Sequence, residues 1–147
     1  MSVFTDKWID EHKDELVEKL QQCVRINSVR DDGSAREGAP FGEGAAKCLE
    51  DTLNTAKAMG FEVKNLDGYC GTVDYGMGEE QLGILAHLDV VPEGEGWTYP
   101  PYAAEIHDGR LYGRGTMDDK GPAFAALFGL AAVKASGVET KRRVRLI

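Results

Sequence analysis

The chain has 147 residues, of which 42% are hydrophobic and 29% are charged. This composition is typical of a globular protein with a hydrophobic core and argues against disorder over the whole length. The 25 acidic and 17 basic residues give a net charge of -8, so DNA, RNA and anionic membrane surfaces would be repelled. We therefore expect neither nucleic acid nor membrane among its partners.

The start of the chain and its cysteines predict a cytoplasmic protein. Residues 1–20 lack an apolar core long enough for a secretory signal, and no stretch approaches the roughly 18 apolar residues of a spanning helix. Cys23, Cys48 and Cys70 are odd in number and are not spaced like a zinc knuckle or a disulfide framework. We expect them to be reduced thiols, buried as small side chains.

The first half of the chain predicts two helices separated by a loop. Apolar residues recur at helical spacing from Thr5 or Asp6, either of which can cap the helix, to about Val24. Residues 30–44 are rich in Gly, Asp and Pro without apolar periodicity, which is typical of a loop. A second helix is predicted from Glu43 to Met59, with Gly60 as its left-handed C-cap.

The second half of the chain predicts strands that alternate with a helix, and hence an α/β sheet. Strand candidates cover residues 61–66, 71–76 and 82–87, and the last is a continuous apolar run expected of a central strand buried on both faces. Asp108 and Gly109 predict the turn of a hairpin within residues 103–113. A helix over 122–135 and a strand beginning at 144–147 complete the pattern.

A His-x-Asp pair, His87 and Asp89, follows the apolar strand directly. Open α/β sheets place ligands at the carboxyl ends of their strands. If the imidazole binds a metal through one nitrogen, Asp89 is placed to accept a hydrogen bond from the other and to fix the tautomer. The alternative is a hydrogen-bonded core histidine, because a His-x-Asp pair is common by chance.

Two further carboxylates, Asp118 and Asp119, follow a Gly-Arg-Gly turn and precede the helix at 122–135. A sharply bent backbone could project one of them into the same crevice, where a divalent metal would accept its oxygen. The alternative is that they stabilise the helix N-terminus electrostatically. Lys120 is expected to be solvated; the alternatives are that it neutralises the aspartates or binds a substrate group. Trp97 and Tyr99 are expected to pack within the loop between the two motifs.

The segments HLDVVPEGEGW and LYGRGTMDDKGP together resemble the two-zinc metallopeptidase family of dipeptidase V, carnosine dipeptidase, carboxypeptidase G, aminoacylase and succinyl-diaminopimelate desuccinylase. Both motifs occur in the family's order, separated by 31 residues (118 minus 87). The resemblance is greatest to the bacterial dipeptidase V branch. It implies a zinc-peptidase-like catalytic domain whose mixed sheet is flanked by helices.

By this resemblance, His87 is a terminal ligand to one metal, Asp118 is the carboxylate that bridges both metals, and Asp89 is the supporting carboxylate with a catalytic role. The bond between Asp118 and Asp119 is expected to be cis. The cofactor implied is a pair of zinc ions, for which manganese or cobalt could substitute, and a glutamate elsewhere acts as the general base.

The resemblance also places the general-base glutamate and the remaining ligands after the strand that begins at 144–147. Residues 1–147 are therefore expected to form a partial catalytic domain, inactive alone, without the family's smaller inserted lid or dimerisation domain. Such a chain would leave a sheet edge uncovered and could self-associate through it.

Three functions follow from these observations. The leading prediction is the amino-terminal part of a zinc-dependent dipeptidase that hydrolyses dipeptides or short peptides through a metal-activated water. A deacylase of N-acyl amino acids from the same family and a noncatalytic interaction fragment are the alternatives. A nucleotide-binding module is disfavoured, because Gly113-Arg114-Gly115 lacks the full dinucleotide fingerprint.

Overall fold

The computed structural model of the chain describes residues 3–147. Among these residues it has three α-helices, a short 3₁₀ turn and six β-strands. The helices are α1 (Val3–Val24), α2 (Glu43–Ala58) and α3 (Lys120–Ala135), and the strands are β1 (Glu62–Leu66), β2 (Cys70–Tyr75), β3 (Gln81–Ile84), β4 (Glu105–His107), β5 (Arg110–Tyr112) and β6 (Arg143–Leu146).

The main sheet is mixed. Its strands are ordered β1-β2-β6-β3, with β1 antiparallel to β2, β2 antiparallel to β6, and β6 parallel to β3. Parallel neighbours need a long crossover, and the segment between β3 and β6 contains both the β4–β5 hairpin and α3. The predicted α/β fold with a mixed sheet flanked by helices is confirmed.

Helix α3 lies at the centre of the packing and contributes buried residues to both hydrophobic clusters. Leu127 and Leu130 pack with α2 and with strand residues of the main sheet, whereas Phe124 and Phe128 pack with buried residues of α1. Helix α3 is apolar on nearly all sides, so it is buried by packing against several elements. This central placement fixes the amino-terminal end of α3 relative to the sheet. It also fixes the turn before α3, residues 115–119, which we call the acidic turn.

The prediction that residues 82–87 form a central strand buried on both faces is wrong. Strand β3 is at the edge of the sheet, and Leu82 and Leu85 are 49% and 80% exposed. An apolar run shows that a strand suits burial. It does not show that residues 3–147 supply the elements that would cover it.

The short hairpin of β4 and β5 forms at the predicted turn. Asp108 and Gly109 both have positive φ angles, 50° and 72°, as a two-residue primed turn requires. None of the helices formed by residues 3–147 has the length and apolarity needed to cross a membrane.

Candidate metal centre

The segment that carries His87 is held on both sides by backbone hydrogen bonds. The Ala86 amide donates to the Ile147 carbonyl (3.0 Å) at the end of β6, and the Val90 amide donates to the Ser28 carbonyl (3.3 Å). The Ser28 hydroxyl, which is fully buried, donates to the Leu88 carbonyl at 2.6 Å. Sequence reasoning missed Ser28, because a lone serine after a helix carries no signal of such a contact.

The acidic turn approaches this segment through a glycine. Gly115 has a φ of +92°, and a Cβ atom there would lie 2.9 Å from Cγ1 of Val90 and 3.1 Å from Cδ of Lys120. Only glycine fits both the conformation and the space. The Gly-Arg-Gly turn thereby brings Asp118 and Asp119 close to His87, and the peptide bond between the two aspartates is cis, as the resemblance implied.

The His87 side chain lies between the residues that the sequence singled out. Its Nε2 atom is 3.0 Å from Oδ1 of Asp118, and its Nδ1 atom is 3.0 Å from the backbone carbonyl of Asp89. The backbone amide of His87 donates to Oδ2 of Asp119 at 3.3 Å. All four predicted residues therefore meet at one place.

The contact to Asp89 differs in detail from the prediction. The backbone carbonyl of Asp89 is nearer to Nδ1 than its carboxylate, whose Oδ1 atom is 3.5 Å away. The carbonyl can only accept a hydrogen bond, so Nδ1 must carry the hydrogen that it donates, and Nε2 is left facing Asp118. The supporting role of the Asp89 carboxylate remains a prediction.

Two opposing effects act on the pKa of His87. Desolvation lowers the pKa, but the Asp89 carbonyl and the Asp118 carboxylate outweigh it and raise the pKa above its usual range. Nε2 of His87 therefore lies beside a carboxylate that favours a positive charge at this point. A divalent cation can replace a proton between Nε2 of His87 and Oδ1 of Asp118, because metal binding displaces protons from its ligands.

The donor atoms fit zinc in type and in spacing. Nε2 of His87 and Oδ1 of Asp118 are 3.0 Å apart, close to the roughly 3.3 Å between two ligand atoms on a tetrahedral zinc ion. The Asp118 side chain is 89% exposed and that of His87 is 48% exposed, so solvent and ions reach both. No cluster of three or more His, Cys, Asp or Glu side chains able to hold a metal occurs within residues 3–147.

A cleft of about 330 Å³ opens beside His87 and Asp89. Its wall includes apolar side chains of α2 and β6, among them Leu49 and Leu146, and it is bordered by Arg30, Phe41 and Tyr69. A mostly apolar cleft with polar groups at one end is a common form of ligand site. The candidate metal centre thus lies at the edge of a concave surface.

The loop between the two motifs is held by its own side chains. The indole of Trp97 donates to the Glu93 carbonyl (2.8 Å), and the Tyr102 hydroxyl donates to the Glu93 carboxylate (3.0 Å). The Arg114 guanidinium donates to the Glu93 carbonyl at 3.2 Å and lies 5.3 Å from the centre of the Trp97 ring. Trp97 therefore packs within the loop, as expected, and Arg114 supports the loop as well as the turn.

The expectation that Lys120 is solvated is wrong. The side chain is fully buried, and its Nζ atom donates to the Cys23 and Ile26 carbonyls at 3.0 and 2.8 Å. A sequence signal existed, because this lysine begins an almost wholly apolar helix and has few polar neighbours there. Cys23 and Cys48 are buried free thiols and Cys70 is a partly buried one, as predicted.

Comparison with known proteins supports the resemblance. Residues 83–147 match the pattern of peptidase family M20/M25/M40. A candidate dipeptidase of Bacillus subtilis, YtjP, is 46% identical over 92% of this chain, and a Beta-Ala-Xaa dipeptidase of Lactobacillus delbrueckii is 40% identical over 92%. The chain spans 29% of the length of each of these relatives.

Solved structures share the fold. Human carnosine dipeptidase 1 superposes with a TM-score of 0.76 at 25% identity, over 97% of this chain and 33% of its own. The dipeptidase Dug1p of Saccharomyces cerevisiae superposes with a TM-score of 0.80 at 21% identity, over the same shares of the two chains. The family resemblance carried by the two motifs is therefore confirmed, since residues 83–147 match the pattern of peptidase family M20/M25/M40.

Proposed function

We propose that this chain supplies part of the metal site of a zinc-dependent dipeptidase. The observation that carries the proposal is the 3.0 Å approach of Nε2 of His87 to Oδ1 of Asp118. The segment after β3 and the turn before α3 are separated in sequence, and the fold brings these two donor atoms together. The dipeptidase names of the relatives in Bacillus and Lactobacillus support the substrate class.

Each residue has a proposed role in this site. His87 would be the ligand to one metal and Asp118 the carboxylate shared by two, while Asp89 would orient the imidazole through Nδ1. Asp119 holds the backbone of His87 through its own carboxylate. When bound, zinc would activate a water molecule and polarise the scissile carbonyl of the peptide.

The proposed site needs more ligands than residues 3–147 bring together. Zinc in catalytic sites usually has three protein ligands, and the candidates here are His87 and Asp118. We therefore propose that residues 1–147 form part of a catalytic domain and that turnover requires further ligands and a general-base glutamate. The three free thiols support a reducing, cytoplasmic location for the whole protein.

Turnover by a chimeric protein tests the proposed activity. The chimera would join residues 1–147 to the part of YtjP that follows the matching segment. It would be loaded with zinc or manganese and assayed with dipeptides and with N-acyl amino acids side by side. We expect dipeptide hydrolysis that is lost in His87→Ala. Hydrolysis of N-acyl amino acids alone would favour the deacylase, and a metal-loaded chimera without either activity would favour a noncatalytic role.

A further inference from the structure

Lys120 occupies an unusual position for a charged side chain. It is fully buried, and the structure shows it in no ion pair with any Asp or Glu of residues 3–147. Burial of a charge without a counter-charge is costly and persists only where other contacts compensate. The position of Lys120 therefore calls for a physical reason.

The compensating contacts come from the end of α1. The Nζ atom of Lys120 donates to the carbonyls of Cys23 and Ile26, which lie in the last turn of α1 and just beyond it. Carbonyls at a helix C-terminus lack partners within the helix and carry a partial negative charge, so they favour a cation. The ammonium is thereby fixed to the last turn of α1 and to the segment just beyond it.

The backbone of Lys120 lies at the other end of this connection. It follows Asp119 directly, and the Ala123 amide donates to the Asp119 carbonyl at 2.9 Å in the first turn of α3. The lysine methylenes also face Gly115 at the start of the acidic turn. Lys120 thus joins the interior of the protein to a turn whose Met117 and Asp118 are exposed.

We propose that Lys120 is a positioning residue for the metal site. By tying the acidic turn to α1, it keeps the carboxylates of Asp118 and Asp119 against the side chain and the backbone of His87. The expected effect of Lys120 on zinc binding rests on the proposed function. The positioning itself does not require a metal to be present.

Lys134 provides a matched control on the same helix. Its Nζ atom donates to the Met59 carbonyl at 2.7 Å, at the C-terminal end of α2, so it makes the same type of contact. Lys134 is near the opposite end of α3 from the acidic turn. Lys134→Met therefore removes a lysine-to-carbonyl contact of α3 without touching the turn.

The test compares Lys120→Met with Lys134→Met in the 147-residue chain. We expect Lys120→Met to accelerate hydrogen exchange of the His87 amide and to weaken zinc binding by about tenfold or more, the range seen when support for a ligand is lost. Zinc chloride would be titrated and the amide shifts of residues 86–90 followed by NMR. Lys134→Met should leave both properties near those of the unmodified chain.

Equal His87 exchange and equal zinc affinity in the two variants would overturn the inference. If the unmodified chain binds no zinc near His87, the chimera decides the proposed function, and the exchange comparison alone decides the positioning role. If Lys120→Met does not fold, native-state hydrogen exchange of the unmodified chain tests the positioning role instead. A shared opening reaction of the His87 and Ile26 amides supports the connection, and independent opening contradicts it.

Discussion

At the scale of single residues, hydrogen bonds to main-chain carbonyls set the geometry of the site. Ser28 donates to the Leu88 carbonyl, His87 faces the Asp89 carbonyl, and Lys120 donates to two carbonyls at and just beyond the end of α1. Every residue has a backbone carbonyl whatever its side chain, so the sequence does not show which carbonyls accept these hydrogen bonds. Sequence motifs identify the side chains of the site, whereas these hydrogen bonds determine their orientation.

Tyr102 gives a prediction that depends on pH. Desolvation and the neighbouring Glu93 carboxylate raise the pKa of Tyr102 to about 12, against an ordinary value of 10.0. The folded protein therefore holds this proton at a pH at which the unfolded chain releases it. The resulting stabilisation is fully present below about pH 10 and is lost as pH rises towards 12.

Ultraviolet titration of the tyrosinate band checks this prediction. Of the five tyrosines, one should ionise near pH 12, and that step should disappear in Tyr102→Phe. Glu93→Gln should move the step to lower pH, because it removes the negative charge beside the phenol. A late ionisation step that survives in Tyr102→Phe would show that another tyrosine is responsible.

At the scale of elements, the acidic turn depends on the close approach of Gly115 to Val90. Substitution Gly115→Ala places a Cβ atom 2.9 Å from the Val90 side chain at a φ of +92°. We expect it to lower the free energy of unfolding by about 1–3 kcal/mol. Chemical denaturation followed by circular dichroism measures this change.

Gly129 serves as the matched control for that substitution. It lies within α3, and a Cβ atom there would meet nothing within 4 Å. Gly129→Ala should be neutral or raise the free energy of unfolding by roughly 0.5–1 kcal/mol, because alanine is the better helix former. Equal destabilisation by both substitutions would mean that the contact with Val90 is not the cause.

At the scale of the whole molecule, strand β3 forms an exposed edge of the main sheet. Strand β3 has one neighbour, β6, among residues 3–147, and Leu82 on this edge is 49% exposed. Unpaired strand edges with apolar side chains favour pairing with another chain. Self-association of the chain remains a prediction.

Sedimentation at increasing protein concentration tests this prediction. We expect the unmodified chain to associate and Leu82→Lys to reduce the association, since a charge on an edge strand opposes pairing. Met77→Lys is the control, because Met77 is 97% exposed but precedes β3. Association that Leu82→Lys leaves unchanged would point to a different surface.

Local patterns predicted most of the elements, whereas their burial depended on contacts between distant segments. Helical periodicity identified α1 and α2, and the Asp108-Gly109 pair identified the β4–β5 hairpin. The apolar run of β3 could not reveal an edge position, which depends on which strands pair with it. The motifs indicated His87 and Asp118, but Ser28 and Lys120 act through distant carbonyls that no short pattern records.

The measurement that tests the central claim most directly is zinc titration of the chain, followed by NMR of the imidazole signals. His107 is the internal control, because its Nε2 atom faces the Glu105 carboxylate at 2.7 Å and not a carboxylate of the acidic turn. We predict saturable changes at His87 that disappear in His87→Ala and Asp118→Ala and persist in His107→Ala. Changes confined to His107, or none that saturate, would contradict a metal site formed by His87 and Asp118.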